Sequence, residues 1–196
     1  MVQWLAALPD WDRTLPAVLV AAGVSNDQHR ALLKALAARA LGVEPTRVEI
    51  EHRTQAAPVL VQPASTGLFL SSGSRGDWAA VAAGRAPIGV DVEAVDPAGE
   101  IPWNVLHPAE AEVLNALKGE ARARAFARLW SVKEAYVKAL RAGIREAESF
   151  AVRFRDAETA AIRDPLAEAV IVEARTRWYD APKAAVSVVL LDGAGQ

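Results

Sequence analysis

Four side chains of this 196-residue chain have types and spacings that can do chemistry together. Asp91 and Glu93 lie two residues apart in Gly89-Val90-Asp91-Val92-Glu93. Glu134 and Lys138 lie four apart in Trp130-Ser131-Val132-Lys133-Glu134-Ala135-Tyr136-Val137-Lys138. Three carboxylates offer hard oxygen ligands to a divalent cation, and Mg²⁺ takes only one or two protein carboxylates beside water and substrate phosphate. A lysine next to them suits that phosphate. Each pair also has a plainer reading: acids at a strand end pointing into solvent, and an i,i+4 Glu–Lys pair worth about 0.2–0.5 kcal/mol.

The first pair must come from a strand and the second from a helix. Ile88, Val90 and Val92 alternate with Gly89, Asp91 and Glu93, so a strand over 88–93 turns three aliphatic side chains to a core and both acids to the other side. At roughly 3.3 Å per residue the acids stand about 7 Å apart along it. On a wheel at about 100° per residue, Phe126, Leu129, Val137 and Leu140 share one arc, with Glu134 and Lys138 at its flank and Ser131 close by. A helix over 120–141, closed by Gly143, sets them at a core margin that a cleft can reach. Lys133 falls inside the apolar arc, where an ammonium must snorkel or meet an anion such as a phosphate.

Ser71, Ser72 and Ser74 with Gly73 and Gly76 read either as a phosphate-cradling loop or as a plain hairpin turn, and Arg75 adds a guanidinium suited to phosphate. Strands follow over 77–83 and 88–93. Upstream, 15–22 reads as a buried strand, and Asn26 caps a helix to Leu41 with Gly42 just past its end. Arg30, Lys34 and Arg39 leave that helix toward solvent or an anion. Residues 47–51 alternate as a half-buried strand. The stretch 96–102, with two prolines and a glycine, reads as a linker between 1–95 and 103–196. Beyond it come a helix over 108–117, strand-like runs over 169–173 and 184–191, and a fraying tail from 193 to 196. The fold class expected is α+β in two similar-sized halves.

Composition narrows the function. Hydrophobic residues at 52% with 23% charged describe a globular chain, and a net charge of −2 does not support nucleic-acid binding. The absence of cysteine excludes disulfides, thiolate metal sites and a Cys nucleophile. His29, His52 and His107 lack zinc-ligand spacing, and there is no Walker loop, Rossmann fingerprint or nucleophile elbow. Lys118, Arg122, Arg124 and Arg128 form a solvated basic face or a dock for an acidic protein. The N-terminus lacks the basic start of a secretory signal and the apolar run 15–24 is too short to span a bilayer, so a cytoplasmic protein without a membrane partner is expected.

The motifs at 89–93 and 130–138, in this order and spacing, resemble those of the 4′-phosphopantetheinyl transferases, and the chain length is similar to the larger type that activates surfactin synthetase and like megasynthases. His29-Arg30, Trp78 and Pro87-Ile88-Gly89 extend the resemblance. It implies a monomeric pseudo-dimer of two similar α/β halves with the active site in the cleft between them. It implies Mg²⁺-dependent transfer of the phosphopantetheine arm of coenzyme A to a serine of an apo acyl or peptidyl carrier protein, releasing 3′,5′-ADP. Asp91, Glu93 and Glu134 would bind the metal, and Glu134 would act as base on the carrier serine. Lys138, with Lys133, would offset phosphate charge, and Arg30, Ser74 and Arg75 would join them on coenzyme A.

Two positions depart from the family pattern. Ser74 stands where the family usually has a histidine for the 3′-phosphate, with Arg75 next to it as a replacement. Ala56-Ala57-Pro58 stands where the family has Gly-Lys-Pro. These departures motivate a second reading, a catalytically impaired module that binds coenzyme A or a carrier protein.

Overall fold

The structure, a computed structural model, describes residues 1–9, 11–52, 57–141, 147–167 and 171–191. It is a mixed α/β fold built around two sheets. In the first, β1 (Gln3–Leu5) runs parallel to β2 (Ala17–Ala22), which pairs antiparallel with β6 (Trp78–Gly84), and β5 (Phe69–Arg75) closes the order β1-β2-β6-β5. In the second, β7 (Ile88–Ala94), β8 (Ala151–Phe154), β9 (Thr159–Arg163), β10 (Ile171–Asp180) and β11 (Lys183–Leu190) lie in the order β7-β11-β10-β9-β8. A two-stranded ribbon of β3 (Glu49–Glu51) and β4 (Val59–Gln62) stands apart.

The sheets face each other across a shared core of Val18, Ala80 and Ala82 from one and Ile88, Val90, Val92, Val186 and Val188 from the other. Helix α1 (Asn26–Leu41) covers the outer face of the first sheet, laying Leu33, Leu36 and Ala37 on Leu19, Leu70, Val81 and Ala83. Helix α3 (Gly119–Leu140) covers the outer face of the second with Val132, Ala135, Tyr136 and Ala139, flanked by α2 (Pro108–Asn115). The layers therefore run α1, sheet, sheet, α3. β6 is buried along its whole length, which suits its run of Ala, Val and Gly.

Several local readings change. Ser25, not Asn26, caps α1: the sequence Ser25-Asn26-Asp27-Gln28 forms a capping box one residue earlier, and Gly42 ends the helix at φ 68° as expected. Ser71 to Gly76 is mostly strand, because β5 pairs with β6 as far as Arg75 opposite Trp78 and only Gly76-Asp77 turn. Residues 45–47 form a 3₁₀ turn ahead of the short β3. No helix or strand interrupts 96–102. β7, grouped by sequence with the N-terminal half, is paired along its length with β11 near the C-terminus. Gly143, residues 169–170 of the strand-like run and 193–196 lie outside the described residues.

Candidate functional site

Two edge strands and a helix meet where the four residues converge. β5 ends the first sheet and β7 ends the second, and α3 lies across β7. Glycine makes the approach possible at two points. A Cβ on Gly89 would stand 1.8 Å from the Ala135 carbonyl oxygen, so α3 rests directly on the β7 backbone. A Cβ on Gly73 would stand 2.8 Å from Asp91 Oδ1 and 3.2 Å from Lys138 Nζ, so only glycine lets β5 close against the acid. The Ser71 hydroxyl accepts a hydrogen bond from the Val90 N–H at 3.0 Å and ties the two edges together.

Lys138 Nζ donates to Asp91 Oδ1 at 2.6 Å, and Arg75 Nε lies 3.3 Å from Glu93 Oε2. Asp91 is 5% exposed, and its other oxygen, Oδ2, is buried without a hydrogen-bond partner. Burial pushes the Asp91 carboxyl up to about 6 against the pull of Lys138, with Glu134 adding repulsion. Burial likewise raises Glu93 to about 7, with the charges of Asp91 and Glu134 raising it further and Arg75 opposing. The three carboxylates thus feel one another at one edge. Among the described residues no three acidic or histidine side chains converge as a ready ligand set; Lys138 and Arg75 stand at two of the acids. The donor chemistry nonetheless fits a hard divalent cation: crowded carboxylate oxygens, one of them buried and unpartnered.

On the α1 side lies a cavity of about 200 Å³ lined by Asn26, His29, Arg30, Leu33, His52 and Ser72. His29 Nε2 is buried there without a partner. Burial lowers the His29 imidazole, helped by the charges of Lys138, His52 and Arg30, so this cavity is within electrostatic reach of the acid cluster. A larger hollow continues past Arg30 to Lys34, Arg47 and His52. On the other flank a hollow of about 480 Å³ runs from Arg75 and Glu93 to Trp103, Arg122 and Phe126.

A family model described as the 4′-phosphopantetheinyl transferase superfamily matches residues 87–186, from the start of β7 into β11. The chain belongs to that superfamily. It is similar to the 4′-phosphopantetheinyl transferase HetI of Nostoc sp., at 29% identity over 139 residues, 68% of this chain and 59% of that protein. It is also similar to a 4′-phosphopantetheinyl transferase of Bacillus subtilis, at 28% over 138 residues, 67% of this chain and 61% of the relative. The match thus spans about three-fifths of the length of these relatives.

Within this superfamily member the expected site residues separate. Lys138 contacts Asp91, Glu93 follows on the same face of β7, and Glu134 lies near enough for its charge to act on both acids. Arg30 lines the α1 cavity beside His29, on which the charge of Lys138 acts. Lys133 is a correction: it is fully buried, its ammonium 2.9 Å from Glu110 Oε2 and hydrogen-bonded to the carbonyls of Ala147 and Phe150, with none of it left for a phosphate. Arg75 leaves the strand on the face opposite a side chain at 74, because neighbours on a strand point to opposite faces. Arg75 turns with Gly73 and Ser71 toward β7, whereas Ser74 turns with Ser72 toward α1. His29 and His52 have no spacing in sequence that pairs them, and the fold brings the start of α1 beside the end of β3 so that both line one cavity.

Proposed function

We propose that this chain transfers the 4′-phosphopantetheine arm of coenzyme A to a serine of an apo acyl or peptidyl carrier protein. The serine Oγ attacks the phosphorus bearing the arm, its proton passes to Glu134, the P–O bond to the nucleotide breaks, and 3′,5′-ADP leaves. Asp91, Glu93 and Glu134 would hold Mg²⁺, which when bound supplies charge neutralisation to the pyrophosphate. The observation that carries this reading is the buried, unpartnered Oδ2 of Asp91 beside Lys138, inside the segment the family model matches.

Lys138 offsets charge on the transferred phosphate, and Arg75, facing Glu93, serves the pyrophosphate rather than the 3′-phosphate. The 3′-phosphate goes to Arg30, where the partnerless His29 Nε2, His52 and Ser72 complete a polar cradle and the exposed Ser74 extends it. Layering of α1 and α3 on the outer faces of two sheets supports the pseudo-dimer, with 1–95 and 103–196 as its halves and 96–102 as linker. A monomer acting in the cytoplasm belongs to the same reading. Among the described residues no helix is long and apolar enough to cross a membrane.

The test is intact-mass measurement of apo acyl and peptidyl carrier proteins incubated with the chain, coenzyme A and Mg²⁺. A gain of one phosphopantetheine, abolished by EDTA, is expected. Ser74 and Ala57, where the family carries phosphate contacts, favour the binding-module alternative. That alternative predicts coenzyme A binding by calorimetry and no mass gain on any carrier.

A further inference from the structure

The buried ion pair behind the site has a role that burial alone does not explain. Lys133 immediately precedes Glu134, yet its ammonium points away from β7 and spends all three N–H donors inside the protein. Glu110 Oε2 lies at 2.9 Å, the Ala147 carbonyl at 2.7 Å and the Phe150 carbonyl at 2.9 Å. The Phe150 ring stands 4.3 Å away beneath it. The Glu110 carboxylate is equally occupied: Oε2 accepts from the His107 N–H at 2.9 Å and Oε1 from the Val152 N–H at 2.7 Å. One carboxylate and one ammonium thus join the first turn of α2, the middle of α3, the 147–150 turn and the start of β8.

Such a pair is a poor way to gain stability, since apolar residues of similar volume commonly serve as well. What it supplies is direction. Backbone contact at Gly89 sets how near α3 lies to β7, and Ser131 Oγ, 2.7 Å from Ser187 Oγ on β11, holds the sheet-facing side of the helix. Lys133 anchors the far side, so that α3 is held from both. At about 100° per residue, a fixed Lys133 turns Glu134 to the flank facing β7 and, one helical turn on, brings Lys138 to Asp91.

We propose that Lys133 and Glu110 are positioning residues, a strut that fixes the rotation and axial register of α3 and so aims Glu134 and Lys138 at the β7 acids. This rests on the transferase reading of the site, but one arm of its test does not need turnover. The double variant Lys133→Met/Glu110→Gln removes both charges together and keeps an amide acceptor at 110. It is expected to fold with a lowered Tm, because the Ala147 and Phe150 carbonyls lose their donor, to lose kcat about tenfold or more at a temperature well below that Tm, and to leave the KM for coenzyme A within a few-fold. Its calorimetric affinity for Mg²⁺ alone is expected to fall about tenfold. Should the double variant not fold, Glu110→Asp, which keeps the charge and shortens the strut by one methylene, is expected to show the same split at smaller size. A folded variant with wild-type kcat and wild-type Mg²⁺ affinity overturns the proposal. If the wild-type chain transfers nothing, the transferase reading fails by itself, and the Mg²⁺ arm still decides the strut: weakened binding supports it, and equal binding overturns it.

Discussion

Helices α1 and α3 do the same mechanical job and present opposite surroundings. Each covers the outer face of a sheet and leaves one flank beside the β5–β7 edges. The α1 flank is basic and open, with Arg30 and Lys34 exposed beside His29 and His52 over a cavity. The α3 flank is closed and balanced, Lys138 against Asp91 with Glu134 close by. An exposed cationic cavity is suited to hold a ligand's charge, whereas a buried cluster with raised carboxyls is suited to change it. On the proposed reading this contrast is a division of labour, with α1 binding the far end of coenzyme A and α3 serving the phosphate that reacts.

Breaking the reactive flank should have the largest effect. Asp91→Ala is expected to abolish transfer, and Glu134→Gln to lower kcat about 10²–10⁴-fold, both with circular dichroism and Tm showing a folded protein. Variants that keep most of their turnover would remove these residues from the reaction. Breaking the binding flank should instead change KM. Arg30→Ala is expected to raise the KM for coenzyme A about 10–100-fold and leave dephospho-coenzyme A unaffected. Arg75→Ala should not show this discrimination. The reverse pattern would move the 3′-phosphate to Arg75.

The flanks also differ in how pH acts on them. Asp91 and Glu93 hold their protons to about pH 6 and 7 when folded, against 3.8 and 4.5 ordinarily. The unfolded chain releases them first, so their contribution to stability is intact below pH 4, declines as pH rises and levels off above 7. His29 and His52, lowered by burial, act in the opposite sense over the same range, so the decline is read as the difference between the melting profiles of the metal-free wild type and Asp91→Asn/Glu93→Gln from pH 4 to 8. A variant profile that still falls like the wild type would assign the slope elsewhere. The smallest effect is expected at the rim. Arg122→Glu/Arg124→Glu should raise the KM for the carrier on the order of fivefold, with coenzyme A unaffected. No change in carrier KM would make this face merely solvated.

The two flanks were unequally legible in the sequence. Alternation in β7 and the arc of α3 are local patterns, so spacing alone sets Asp91 and Glu93 on one strand face and Glu134 and Lys138 on one helix flank; joining the two into one site takes the family resemblance. Lys133 was placed correctly in the apolar arc, but its partner Glu110 sits on another helix and no local pattern names it. β5 was obscured because Ser and Gly have turn character, and only pairing with β6 makes them strand. β8 and β9 are four and five residues long, each with one arginine, too short to announce themselves. The pairing of β7 with β11 spans most of the second half of the chain, a long-range choice that periodicity does not encode.

The most direct test of the central claim is to quantify 3′,5′-ADP against holo carrier formed from coenzyme A and Mg²⁺, in wild type and in Asp91→Ala. The account predicts one 3′,5′-ADP per phosphopantetheine transferred by the wild type, and neither product from the variant. Transfer that survives Asp91→Ala, or a mass gain without 3′,5′-ADP, would contradict it.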